Sequence, residues 1–223
     1  ITASHLPYNR NGMKFFTAEG GADKADIQKI LAYAAEAEEA HGSLDNVLKF
    51  DLIGRYSDHL VGKIRTALGG AEKPLAGMRI VVDAGNGAGG FFAGRILTPL
   101  GADTSGSRFL DPDGHFPNHI PNPEDPEAMR AIKEAVIKSD ADLGLIFDTD
   151  VDRMSAVLAD GTDVSRNALI AMMAAILAPD YPGATIITDS VTSDGLTDFL
   201  EHDLHLKHLR YMRGYKNVIN ECI

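Results

Sequence analysis

Apolar positions along this chain recur at helical and strand-like periods in alternation, and that alternation sets the expected elements. After a polar, turn-rich stretch over 1–17, Ile27, Ile30, Leu31 and Ala34 fall at helical spacing and predict a helix over 24–41, stopped by Gly42. Leu52, Tyr56, Leu60 and Ile64 share one face of a second helix over 51–68, and Gly69-Gly70 and Pro74 then punctuate the chain. Arg79-Ile-Val-Val82 is a buried-strand run, followed by the glycine-rich Asp83–Gly90 and a helix through about Leu100. Five prolines between 111 and 126 predict an extended loop. A helix over 125–138 turns Met129, Ile132 and Val136 inward, and strands follow at Leu143–Phe147 and Met154–Leu158. Ser165 caps a helix reaching about Ala178, Pro179 and Pro182 punctuate again, and a strand at Ala184–Thr188 and a helix over 193–202 come next.

Strands alternating with helices predict an α/β protein with mixed, mostly parallel sheets flanked by helices. The two punctuated stretches divide the chain into 1–72, 73–179 and 180–223. Composition changes this picture little: 223 residues at 44% hydrophobic and 24% charged supply a real core. The net charge of −11 argues against a nucleic-acid surface, and no apolar run approaches a membrane-spanning length. A single cysteine, Cys222, cannot form an internal disulfide, so a reducing cytoplasm is expected. The chain opens on Ile1 inside one motif and stops at Ile223 inside a helix start, as a fragment would.

The chemistry concentrates at Asp148-Thr-Asp150-Val-Asp152-Arg153, straight after the apolar run Leu143–Phe147. Three like charges so close repel, and a hard divalent cation is the natural reason to assemble them. In a straight strand Asp148 and Asp152 would lie roughly 13 Å apart, too far to share an ion, so the segment must curl if all three are ligands. A solvated acidic turn is the plain alternative. A calcium loop of the EF-hand type would need Gly and Glu where Arg153 and Ala159 stand. A dehalogenase-type phosphatase would usually carry Thr or Val where Asp152 stands. The glycine stretch Gly85–Gly90 matches G-x-G-x-x-G, with Asp103 near the position of a ribose-binding acid, but Asp83 and Ala84 separate it from the strand; a tight turn is the expected role.

Near the N-terminus, Ile1-Thr-Ala-Ser-His5-x-Pro-x-x-x-Asn-Gly-x-Lys14 resembles the phosphoserine loop of the α-D-phosphohexomutases, the family of phosphomannomutase and phosphoglucomutase. Asp148–Arg153 resembles that family's metal loop; Asp83-Ala-Gly-Asn-Gly87 and Pro121-Asn-Pro-Glu124 resemble its second domain, and Gly214–Val218 the opening of its third. The resemblance implies repeated α/β domains, with late domain 1 over 1–72, domain 2 over 73–179 and the start of domain 3 over 180–223. Leu6 departs from the Asn common after Ser-His, and Met212 stands where many relatives carry a cation, leaving Arg210 or Arg213 to supply it.

The implied reaction interconverts hexose 1-phosphate and hexose 6-phosphate through a phosphoserine at Ser4 and a bisphosphorylated sugar. Ser4, Asp148, Asp150 and Asp152 would hold Mg²⁺, Arg153 and Arg213 would bind phosphate, and Lys14 or His5 would act as acid and base. Besides the phosphorylated hexose, the implied partners are the remaining domains of a longer chain. Two other readings stay open: a catalytically incompetent fragment that binds metal, and a Mg²⁺-dependent phosphatase.

Overall fold

The structure is a computed structural model that describes residues 8–18, 20–38, 42–43 and 45–222. It divides into two compact units, Ile1–Thr162 and Asp163–Ile223. In the first, a short antiparallel pair, β1 (Phe16–Thr17) and β2 (Gly20–Gly21), precedes helix α1 (Lys24–Glu36) and helix α2 (Leu52–Ala67). Both helices start on an aspartate. Asp23 and Asp26 form a reciprocal capping box on α1, and Asp51 accepts from the Gly54 N–H on α2.

The centre of this unit is a three-stranded sheet in the order β3 (Ile80–Asp83), β4 (Leu143–Phe147), β5 (Met154–Leu158). Strands β3 and β4 run parallel, with Asp83 opposite Ile146; β4 and β5 are antiparallel, with Phe147 opposite Met154. The pleat sends alternate side chains to opposite faces. Val81, Ile146 and Val157 pack against Ala128, Ile132, Ala135 and Val136 of helix α3 (Pro126–Ser139). Ile80, Val82 and Phe147 pack the other way, against Ala93 and Leu97. Behind these, Val61 of α2 joins Ile96 and Leu100. The result is a helix–sheet–helix sandwich, as the periodicity implies.

Three local expectations need correction. The helix expected after the glycine stretch is a short 3₁₀ turn, Ala88–Gly90, leading into a wide π-helix, Ala93–Leu97. Pro99 has no N–H to extend an α ladder, and the Thr98 N–H and hydroxyl both donate to the Ala93 carbonyl, at 3.0 and 2.9 Å. On α2 the buried positions are Ser57 and Val61, with Leu60 and Ile64 packed beside Val61, while Leu52 and Tyr56 stay exposed. Helix α1 ends at Glu36, before the expected Gly42 stop, and buries none of its residues.

The second unit holds helix α4 (Arg166–Leu177), the parallel pair β6 (Thr185–Asp189) and β7 (Lys207–Tyr211), helix α5 (Asp194–Asp198) running into a π-helix at Phe199–Asp203, and helix α6 (Tyr215–Glu221). Ser165 caps α4 through the Ala168 N–H, as expected. Ala174 of α4 packs with Leu196, Leu200 and Leu206. The compact units therefore part at 162/163, ahead of α4, whereas the sequence places a break at 179/180. Pro179 and Pro182 sit in the tight turn between α4 and β6, where the Asp180 and Tyr181 N–H groups both donate to the Leu177 carbonyl. No comparable break falls at 72/73, because α2 packs on the π-helix.

The packing contrast between the helices is directly measurable. Ile132→Ala should destabilise the first unit by about 2–5 kcal/mol. Leu31→Ala, on the exposed α1, should change stability by less than about 0.5 kcal/mol. Urea unfolding followed by circular dichroism reads both, and similar losses for the two variants would contradict the layering.

Candidate functional site

The segment Asp148–Arg153 is the six-residue loop that joins antiparallel strands β4 and β5. The Asp148 N–H donates to the Arg153 carbonyl across its neck at 3.1 Å. Inside the loop the chain reverses at Val151, whose φ of 66° places a β-branched residue in the left-handed region, at a cost of about 1–3 kcal/mol. This is the curl that a shared ion requires. It brings one carboxylate oxygen from each of Asp148, Asp150 and Asp152 within 4.8 Å of one another.

The three carboxylates are not equivalent. Asp148 is fully buried, while Asp150 and Asp152 are exposed. Both oxygens of Asp148 are held by Arg153: Oδ1 accepts from its backbone N–H at 3.0 Å and Oδ2 from Nε at 2.9 Å. Burial raises the pKa of Asp148 above the usual carboxylate range. The Arg153 backbone N–H opposes that rise, the neighbouring Asp152 adds to it, and the Arg153 side chain opposes it again. Arg153 also reaches Asp152 Oδ1 at 3.6 Å. An all-oxygen set of three carboxylates suits a hard divalent cation. A buried acid with a raised pKa gains its charged form most readily when such an ion is present.

A frame of hydrogen bonds underlies this loop. Asp83, at the end of β3, is fully buried, and its Oδ1 accepts from the Gly85 N–H at 2.9 Å and from His119 Nε2 at 3.0 Å. The other ring nitrogen, Nδ1, faces the Ile120 carbonyl at 2.9 Å. Two acceptors against the two ring nitrogens favour the doubly protonated, charged ring. Burial is the largest influence on His119 and opposes that charge. The hydrogen bonds to Asp83 and Ile120 and the attraction of Asp83 and Asp125 together outweigh it and raise the pKa.

Asn86, in the left-handed region at φ 62°, uses every polar group it has. Its N–H donates to Phe109 O, its Nδ2 to Asp111 O, its carbonyl accepts from the Asp113 N–H, and its Oδ1 accepts from Asn118. The proline-rich loop is thereby bolted to the glycine turn. The same loop presents His115, on which Tyr8 stacks with ring centroids 4.3 Å apart.

The glycines serve close packing, as the tight-turn expectation has it. A Cβ on Gly87 would stand 2.9 Å from the Thr149 carbonyl oxygen, one on Gly89 would stand 2.9 Å from the Phe147 ring, and one on Gly90 would run into Leu110 O. Asp103 bonds the Ser105 N–H and Arg79 Nε, which hold its carboxyl at about 2; it serves as a strand-edge clasp.

Of the residues that the sequence nominated, the structure gathers Asp148, Asp150, Asp152 and Arg153. Ser4 and His5 lie outside the described residues. Lys14 is exposed, without the desolvated surroundings that acid–base work asks of a lysine. Arg213 is exposed in the second unit, just past β7. Arg210 bonds Asp194 at 2.8 Å and Thr197 at 2.9 Å. Asp83, His119 and Asn86 were not nominated. Their signals are faint: an acid ending a strand before a glycine turn, and a histidine among prolines.

The chain is similar to several known proteins. A family model described as phosphoglucomutase/phosphomannomutase, alpha/beta/alpha domain II, matches residues 54–161. A phosphoglucomutase of Neisseria meningitidis is 35% identical over 190 residues, which cover 85% of this chain and 39% of that protein. Over most of its length the chain is thus similar to a phosphoglucomutase, and residues 54–161 match the domain II of that enzyme group. A phosphomannomutase/phosphoglucomutase of Pseudomonas putida is 33% identical over 201 residues, covering 90% of this chain and 41% of that one. A solved phosphoglucomutase/phosphomannomutase family protein of Burkholderia thailandensis superposes with a TM-score of 0.71 at 24% identity, covering 94% of this chain and 50% of its own, and shares the phosphohexomutase fold. The chain thus spans about two fifths of the length of the curated relatives it matches. No described helix is long and apolar enough to cross a membrane.

The His119–Asp83 pair carries a pH signature. A histidine whose folded pKa lies above its ordinary 6.5 contributes stability that is full below that value and is lost as pH climbs through the raised one. The stability difference between the wild type and His119→Gln should therefore shrink over the range above about pH 6.5. Thermal unfolding across that range measures it; a constant or growing difference would show that the ring is neutral in the fold.

Proposed function

We propose that this chain carries the phosphoserine and metal loops of a phosphohexomutase that interconverts hexose 1-phosphate and hexose 6-phosphate in the cytoplasm. The observation that carries the reading is the preassembled carboxylate cluster on the β4–β5 loop, in a chain whose residues 54–161 match phosphoglucomutase/phosphomannomutase domain II. Asp148, Asp150 and Asp152, with an oxygen of phosphorylated Ser4, would hold Mg²⁺. Bound there, the ion would offset the charge of the phosphoryl group and polarise its bond to the serine oxygen.

The chain's own groups do the rest. A sugar hydroxyl attacks the phosphorus of phosphoserine, the Ser4 Oγ–P bond breaks, and the hydroxyl proton passes to Lys14 or His5. The resulting bisphosphate turns over, Ser4 Oγ attacks the other phosphorus, that sugar O–P bond breaks, and the freed sugar oxygen takes back the proton from Lys14 or His5, leaving the isomeric monophosphate. Arg153 steadies the loop through Asp148, and it and Arg213 are the candidate phosphate contacts, since a guanidinium can bond two oxygens at once. Lys14 would need the substrate or further protein around it to lose solvent.

A second reading follows from the chain's share of its relatives: 223 residues that bind the ion and fold without turnover, the activity belonging to a longer protein. Assay of glucose 1-phosphate with Mg²⁺, alongside peptide mass mapping of Ser4, separates the possibilities. The mutase reading expects phosphoserine at position 4 and isomerisation without net phosphate release. It also expects a loss on the order of 10³-fold or more in Ser4→Ala. Full activity in Ser4→Ala contradicts the carrier role. Phosphate release dependent on Asp148 identifies a phosphatase, and ion binding without turnover identifies the second reading.

A further inference from the structure

The Asp83–His119 contact includes none of the three clustered carboxylates, yet a path of hydrogen bonds and close contacts joins the two. His119 is buried, and its ring is fixed on three sides: by Asp83, by the Ile120 carbonyl, and by an edge contact to Phe109 with centroids 5.5 Å apart. Asp83 shares one oxygen between His119 and the Gly85 N–H, so the ring and the start of the glycine turn are tied to one atom. The turn itself leaves no slack. A Cβ on Gly85 would stand 2.8 Å from Pro121 and 3.0 Å from His119 Cε1. At the far end of the turn, Gly87 lies against Thr149, and the Ala88 N–H donates to the Thr149 carbonyl at 2.8 Å. Thr149 stands between Asp148 and Asp150 in the chain, so its peptide fixes the spacing of two of the three carboxylates.

A second observation points the same way. Among the described residues, two buried side-chain oxygens have no hydrogen-bond partner, Asp83 Oδ2 and Thr149 Oγ1. They sit at the two ends of this path. Stability alone does not explain an arrangement that strands a polar atom at each end, since each costs free energy.

We propose that His119 and Asp83 are positioning residues for the cation site, acting through the 83–88 turn to hold the Thr149 peptide and so the separation of Asp148 and Asp150. The inference rests on the reading of the β4–β5 loop as a cation site. Neither residue touches the ion or the sugar. They stand to the carboxylates as outer-shell partners stand to metal ligands, whose loss commonly weakens binding by about 10–100-fold.

The test is Mn²⁺ binding to the 223-residue chain, read by the electron paramagnetic resonance of free Mn²⁺, with circular dichroism as the check on folding. His119→Phe keeps a ring of similar volume and removes both donors. It should raise the Mn²⁺ dissociation constant by on the order of 10-fold. His119→Gln keeps an amide donor for Asp83 and should recover most of the affinity. A lowered unfolding midpoint with an unchanged dissociation constant in His119→Phe would mark a merely structural pair and overturn the inference. Should His119→Phe not fold, Asp83→Leu, which is of similar shape and removes the acceptor shared by Gly85 and His119, takes its place with the same expectation and the same contrary result. A wild-type chain that binds no Mn²⁺ overturns the cation-site reading and this inference together, whereas binding that the variants leave unchanged overturns this inference alone.

Discussion

The closure of the β4–β5 loop by Arg153 on Asp148 is the interaction on which the site depends. A fully buried carboxylate is costly unless its oxygens are occupied, and here one residue five positions along the chain occupies both. That grip sets the loop's width, forces the reversal through Val151, and leaves Asp150 and Asp152 projecting beside Asp148. The strain at Val151 and the repulsion among the carboxylates are both unfavourable in the free chain. A loop that retains them is arranged for something that arrives with positive charge.

Much of the surrounding fold serves this loop. Parallel strands β3 and β4 bring Asp83 and Asp148 to the same edge of the sheet, the end at which ligands gather in open α/β folds. The glycine turn fills the gap between them, and its lack of side chains is what lets it lie against Thr149 and Phe147. Asn86 and His119 lock the proline-rich loop onto that turn. That loop receives Tyr8, four residues beyond Ser4, through His115. The structure therefore ties the segment that follows the candidate phosphoryl carrier to the domain that gathers the carboxylates.

The sequence makes the alternating elements and the acidic loop legible because both are local signals. Strands Leu143–Phe147 and Met154–Leu158 carry the observed bounds, and the need for a curl at 148–152 follows from strand geometry alone. What the sequence hides is non-local. Nothing near Asp83 announces a histidine 36 residues away, and nothing near Val61 announces Ile96 and Leu100. The α2 face is hidden for that reason: Leu52 and Tyr56 share a periodic stripe with Leu60, but the surface that α2 meets lies further along the helix. The π-helix at Ala93–Leu97 is not legible in the sequence because ladder type depends on where Thr98 finds its acceptor. Pro179 and Pro182 punctuate the sequence but shape a tight turn between α4 and β6 within the second compact unit. The sequence suggests Arg153 as a phosphate contact, and its hold on Asp148 emerges only once the loop is closed.

The central claim is that the loop is already shaped for its ion before the ion binds. Anomalous diffraction from crystals of this chain soaked in Mn²⁺ tests it most directly. The account predicts a single anomalous peak bounded by Asp148, Asp150 and Asp152, with Val151 still left-handed and Arg153 still on Asp148. A peak elsewhere, or a loop rebuilt around the ion with the Arg153–Asp148 contact broken, would contradict it.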